Sequence, residues 1–114
     1  MSHYNISTPA QSDILSALKQ RDVQSRQRYQ HLIITALVDI TVAPFRIGSS
    51  FRDDIAPGVR SFHLAHPCKR AATSEGAIQD PEHVIFYRIT DGQVIEVIRL
   101  VHDSMELRLH RPTD

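Results

Sequence analysis

Three arginines, a tyrosine and a histidine in the second half of this chain are of types suited to phosphate chemistry. Arg60 stands in Val59-Arg60-Ser61-Phe62, Tyr87 and Arg88 close Val84-Ile85-Phe86-Tyr87-Arg88, and Arg99 and His102 lie in Val97-Ile98-Arg99-Leu100-Val101-His102. Clustered guanidiniums would hold a phosphate or carboxylate bidentately. Tyr87 with His102 would add acid–base capacity, because an unperturbed histidine titrates near ~6.5. The same residues have an ordinary structural reading, in which the arginines pair with Glu96, Asp103 or a partner's carboxylates, Tyr87 packs in a sheet and His102 marks a strand end. Nothing in the sequence places a base beside an attacking hydroxyl. His63, His66 and Cys68 are metal-ligand types, but residues three apart in a strand point to opposite faces, so no metal site is expected. There is no Gly-rich phosphate loop, nucleophile elbow or paired-carboxylate motif, and no cofactor is expected.

What positions these residues is a hairpin. Two apolar runs between His83 and Glu106 meet at Asp91-Gly92, a dipeptide suited to a two-residue I′ turn. That turn would pair Ile89 with Val94, Tyr87 with Glu96, Ile85 with Ile98 and Val84 with Arg99. One face then holds Val84, Phe86, Arg88, Ile95, Val97, Arg99 and Val101; the other holds His83, Ile85, Tyr87, Ile89, Val94, Glu96, Ile98, Leu100 and His102. Arg88 and Arg99 share a face, which Arg60 could join from a neighbouring strand. Both faces are largely apolar, so helices are expected on one and a protein partner on the other.

Upstream, His3 to Ser7 reads as a short strand. Thr8-Pro9-Ala10-Gln11 reads as a helix start, with Thr8 as cap and Gln11 at the capping-box position, and the helix runs to about Gln20. Asp22 can cap a second helix from Val23 to Ala43, dense in apolar residues from Tyr29 onward and ended by Pro44. Phe45 to Gly58 reads as an irregular connection, Val59 to His66 as a strand, and Pro67 to Pro81 as a long polar loop. Asp103-Ser104-Met105-Glu106 can cap a short terminal helix. The expected fold is α+β: a helical hairpin on a small, mainly antiparallel twisted sheet, ordered β-α-α-β-β-β, in one domain over residues 1–114.

The chain has 114 residues, with 13 Lys and Arg against 13 Asp and Glu. A formal charge of zero argues against a field that concentrates nucleic acid. The single cysteine excludes an internal disulfide and fits a reducing cytoplasm. No secretory signal is evident at the N-terminus, and the apolar stretch Leu32 to Val38 falls short of the ~20 residues a membrane span needs.

The element order, with Ala56-Pro57-Gly58-Val59-Arg60-Ser61-Phe62, Val84-Ile85-Phe86-Tyr87-Arg88 and Val97 through Met105, resembles the RelE/ParE superfamily of bacterial type II toxin–antitoxin toxins, the ParE branch most of all. That resemblance implies a toxin that disables DNA gyrase without catalysing a reaction and is neutralised by a cognate antitoxin. The antitoxin is expected to be ParD-like, with a ribbon–helix–helix N-terminus and an extended C-terminal segment wrapping the toxin in a hetero-oligomer. Arg60, Phe62, Phe86, Arg88 and Val97 are the implied antitoxin contacts. Arg99, His102, Met105, Arg108, His110 and Arg111 are the implied gyrase contacts, and truncation after Val101 is expected to abolish toxicity. The alternative is a RelE-like, ribosome-dependent mRNA endoribonuclease using Arg60, Tyr87, Arg88, Arg99 and His102. A third reading is an inactive homologue that only binds its antitoxin. Zero net charge counts against gripping RNA on a ribosome, which calls for several cations neutralising phosphates. The loop from Pro67 to Pro81, with Lys69 and Arg70, is longer than in the compact ParE pattern.

Overall fold

A computed structural model describes residues 3–68 and 81–104. Strand β1 (His3–Ile6) leads into helices α1 (Thr8–Lys19) and α2 (Val23–Val42). Strands β2 (Ser49–Phe51), β3 (Arg60–His63), β4 (His83–Ile89) and β5 (Val94–His102) follow. The five strands form one sheet in the order β1-β5-β4-β3-β2, antiparallel except where β1 runs parallel to β5. This is the expected α+β arrangement, with the short strand β2 added inside the stretch that reads as irregular connection.

The first helix starts one residue earlier than expected. Ser7 is the cap, its hydroxyl accepting from the Ala10 N–H, which places Thr8 and Pro9 in the first helical turn. Gln11 turns back to the Ile6 carbonyl, not to a Thr8 cap. Asp22 caps α2 as expected, accepting from the Ser25 N–H at 2.8 Å. One stripe of α2, through Tyr29, Leu32, Ile33, Ala36, Leu37 and Ile40, is buried on Phe62, Leu64, Ile85, Tyr87, Ile95, Val97 and Leu100 of the sheet side. Apolar residues three and four apart on a helix thus meet alternate residues on the strands.

Hairpin register differs from the two-residue turn. Asp91–Gln93 form a three-residue 3-10 turn, with Gly92 at φ 76° and Gln93 at φ 62°, and Thr90 faces Val94 through the Thr90 N–H to Val94 carbonyl bond. Ile89 therefore pairs with Ile95, Arg88 with Glu96 and Tyr87 with Val97; the register then slips, so Phe86 pairs with Arg99 and Val84 with Val101. Ile98 is the extra, bulged residue. The longer turn moves Ile95 and Val97 to the helix-packed face, and Glu96 and Ile98 to the open one. Past the bulge the expected facing of Arg99, Leu100, Val101 and His102 is restored.

Beyond β1, the outer edge of β5 is closed by side chains of the α1 region. The Ser7 hydroxyl donates to the Ile98 carbonyl, and the Asp13 carboxylate accepts the Leu100 N–H at 3.1 Å and two Arg99 N–H groups at 2.6 and 3.1 Å. The pairing holds Arg99 firmly in its charged form, raising its pKa through the Asp13 hydrogen bonds. Asp13→Ala removes the acceptor of an edge N–H and one half of an ion pair together. We expect a loss of about 1–3 kcal/mol in urea unfolding, with Asp13→Asn recovering part of it. An Asp13→Ala protein as stable as the parent would show that the edge is satisfied some other way.

Candidate functional site

The sheet face opposite the helices is only partly covered. Its apolar floor joins Val59, Val84 and Phe86, with Ala56, Ile98 and Val101 packed on them. The segment between β2 and β3 folds over one side of it: the Arg52 N–H bonds the Val59 carbonyl, Arg52 forms a bidentate pair with Asp54, and its guanidinium lies 5.4 Å from the Phe86 ring centre. Asp53 accepts the Gly58 N–H, holding the Pro57-Gly58 turn. What stays open is a groove of about 420 Å³ lined by Ser7, Ile55, Ala56, Val59, Phe86, Arg88, Glu96, Ile98, Arg99 and Val101. Apolar ground ringed by ion pairs, Arg88–Glu96 at 2.6 Å and Arg99–Asp13 at 2.6 Å, suits a protein segment better than a polyanion.

Arg88 and Arg99 thus share the open face, as expected, but Arg60 does not join them. Opposite Tyr87 in the ladder, it lies on the helix side, buried, beside Phe45 and Phe51. Phe62 and Val97 are likewise buried in the core beneath the helices, because Phe62 follows the β3 alternation and Val97 precedes the bulge. Of the expected antitoxin contacts, only Phe86 and Arg88 line the groove. Ile98 and Val101 also line it, and Arg52 lies over the ring of Phe86; none of these three was among the expected contacts. For Ile98 the signal was absent, since a bulge leaves no mark in the alternation; for Arg52 the adjacent Asp53-Asp54 and Pro57-Gly58 marked a structured turn.

Tyr87 and His102 do lie on one face, at opposite ends of the hairpin. The Tyr87 hydroxyl is not at the rim: it donates to the Pro44 carbonyl, closing the end of α2. His102 sits in a cluster at the other end of the sheet, facing His83 across the ladder at 5.6 Å between ring centres. Its Nε2 lies 3.0 Å from a Glu82 carboxylate oxygen and its Nδ1 3.4 Å from Asp103, whose other oxygen is 3.3 Å from His63 Nε2. On the helix side His83 shares a hydrogen bond with the Tyr29 hydroxyl, and the Arg21 guanidinium stacks 3.7 Å from the centre of the Tyr29 ring. Burial raises the Tyr29 pKa. Burial, then the charge of His102, pushes His83 down to about 4.

That shift predicts a pH dependence of stability. Unfolded His83 takes a proton near ~6.5, whereas in the folded chain it resists protonation until about 4. Between these values the unfolded chain binds more protons, so the stabilisation is complete above ~6.5 and is lost as pH falls toward ~4. The loss is about 2 kcal/mol after reduction for the ring's partial exposure. Thermal melts from pH 7.5 to 4.5 should show a falling midpoint, with a shallower slope in His83→Gln. An unchanged slope in that variant would assign the effect to other groups.

His63 and His66 do not converge: His66 stacks on Phe62 at 5.3 Å, against Gly48, while His63 turns to Asp103. Cys68 packs at the edge of the core. Among the described residues no group of three metal-ligating side chains comes together, and no helix is long and apolar enough to cross a membrane. Met105, Arg108, His110 and Arg111, the terminal helix and the cations Lys69 and Arg70 lie outside the described residues.

Comparison with known proteins agrees with this architecture. In the solved E. coli DinJ–YafQ complex, one chain aligns with TM-score 0.55 and 13% identity, over 92% of this chain and 97% of that one, a likeness of fold. No curated protein matches the sequence. Residues 4–107 match the family model of the ParE toxin of the type II toxin–antitoxin system parDE. With nearly its whole length inside that match, the chain belongs to the ParE toxin family and is the toxin component of a type II toxin–antitoxin system.

Proposed function

We propose that this toxin acts in the cytoplasm on DNA gyrase, stabilising a cleaved DNA complex without itself catalysing a reaction. A cognate, ParD-like antitoxin silences it by laying an apolar segment in the open-face groove. The single observation that carries this reading is the state of the open-face arginines. Arg52, Arg88 and Arg99 are each held by a carboxylate of the same chain, Asp54, Glu96 and Asp13. Arg60 lies on the opposite face. A surface gripping RNA phosphates needs guanidiniums free to replace counterions, whereas an apolar floor with neutralised charges suits a protein chain.

Messenger RNA cleavage is the second reading, and one observation favours it. His63, His83 and His102 stand together with Glu82 and Asp103, side chains of the types that acid–base cleavage of RNA uses. Controlled expression of the unaltered chain separates the two. Under the gyrase reading growth stops with broken DNA and whole transcripts; under the RNA reading growth stops with cut transcripts, and His102→Ala leaves them whole. Expression of the unaltered chain without growth arrest would point to a homologue that only binds its antitoxin.

A further inference from the structure

Arg60 is 6% exposed, and among the described residues only one of its donors is engaged: Nη2 donates to Ser49 Oγ at 2.6 Å, while Nε and Nη1 have no hydrogen-bond partner there. Its guanidinium carbon lies 4.9 Å from the centre of the Phe45 ring and 4.5 Å from that of Phe51. Those rings supply attraction to a cation but no carboxylate. A buried charge without a counter-ion is costly, and an apolar side chain of similar size would serve packing better. The sheltering rings are themselves largely exposed, Phe45 at 67% and Phe51 at 69%, beside Ile47 at 99%. Phe45 and Ile47 precede β2 and Phe51 is its last residue; β2 is the outermost strand and, among the described residues, pairs with β3 alone.

We propose that an extended, acidic segment of the antitoxin pairs with the free edge of β2 and places a carboxylate on Nε and Nη1 of Arg60, the Phe45 and Phe51 rings turning to cover it. Ser49 and Phe51 lie on the helix side with Arg60, as their pairing with Phe62 and Arg60 requires. A residue added opposite them on a new strand points to the same side. The missing negative charge selects the occupant: an apolar segment alone would leave the guanidinium uncompensated. This proposal rests on the toxin–antitoxin reading and adds to the groove a second contact, on the other face of the sheet.

The probe is an end-blocked nine-residue peptide alternating valine and glutamate, compared with the same peptide carrying glutamine, on the full-length chain. The glutamate peptide should bind at least ~10-fold tighter, since a bidentate, charge-assisted pair forms only with it. In Arg60→Met the ratio should fall to about one, while the melting temperature stays level or rises because an uncompensated buried charge is gone. As a readout in the unaltered protein, the Arg60 Nε–H resonance should move with the glutamate peptide alone. Equal affinities, binding of neither peptide, an unchanged ratio in Arg60→Met or an unmoved resonance would each overturn the proposal. The assay contains no gyrase and no ribosomes, so its outcome stands apart from that of the target reading.

Discussion

Removing residues 105–114 is expected to abolish growth arrest completely while leaving a folded protein that still binds its antitoxin. The segment holds Met105, Arg108, His110 and Arg111, four of the proposed gyrase contacts, and mixes apolar Leu107 and Leu109 with those basic groups. The cut after Ser104 respects the contacts that finish the sheet. The Asp103 N–H bonds the Glu82 carbonyl at 2.7 Å, Asp103 pairs with His63, and the Ser104 side chain meets His102. A cut after Val101 would remove all of these, so lost toxicity there could reflect lost folding. Since the cut keeps Ser7, Ile55, Ala56, Val59, Phe86, Ile98 and Val101 of the groove lining, antitoxin affinity should change by less than about threefold, the scale of surface changes away from a contact. Full arrest by the shortened chain, or loss of its cooperative melt, would defeat this expectation.

Ile98→Asp carries the second large effect, on antitoxin binding. Ile98 is the bulged residue of β5, half-buried against the Val59, Val84 and Phe86 cluster and facing the groove. In the free toxin an aspartate there keeps much of its hydration, at a cost of about 1 kcal/mol. Under a bound segment it becomes a desolvated carboxylate beside Glu96 with no partner, and such groups cost about 3–5 kcal/mol. Affinity should fall roughly 10²- to 10³-fold, while Ile98→Val stays near the parent. Isothermal titration with the purified antitoxin measures it. An Ile98→Asp toxin that binds normally would move the interface off the open face.

Much of this fold was legible in the chain because its signals are local. Asp22 and Pro44 bracket α2, Pro9 opens α1 behind its cap, and the runs around Asp91-Gly92 form the hairpin. What was not legible depends on one residue more or less. A three-residue turn replaced the two-residue one, and the bulge at Ile98 then put the register back, so Ile95, Val97 and Glu96 changed faces while Arg99 did not. Strand β2 escaped notice because Ser49–Phe51 is too short to show alternation and owes its place to pairing with β3. In the candidate site, Arg88 and Arg99 do share a face, because the bulge at Ile98 offsets the extra turn residue. Asp13, which neutralises Arg99, is 86 positions away in sequence and no spacing rule reaches it. The partners of His102 were hidden for the same reason: Glu82 and His83 arrive through the pairing of β4 with β5.

Gyrase poisoning, the central claim, is tested most directly by adding the purified toxin to gyrase with supercoiled plasmid and ATP, scored for trapped double-strand breaks, beside translating ribosomes scored for mRNA cleavage. We predict trapped breaks that antitoxin prevents and transcripts that stay intact. Cleaved transcripts with gyrase unaffected would contradict it and shift the site to the histidine cluster around His102.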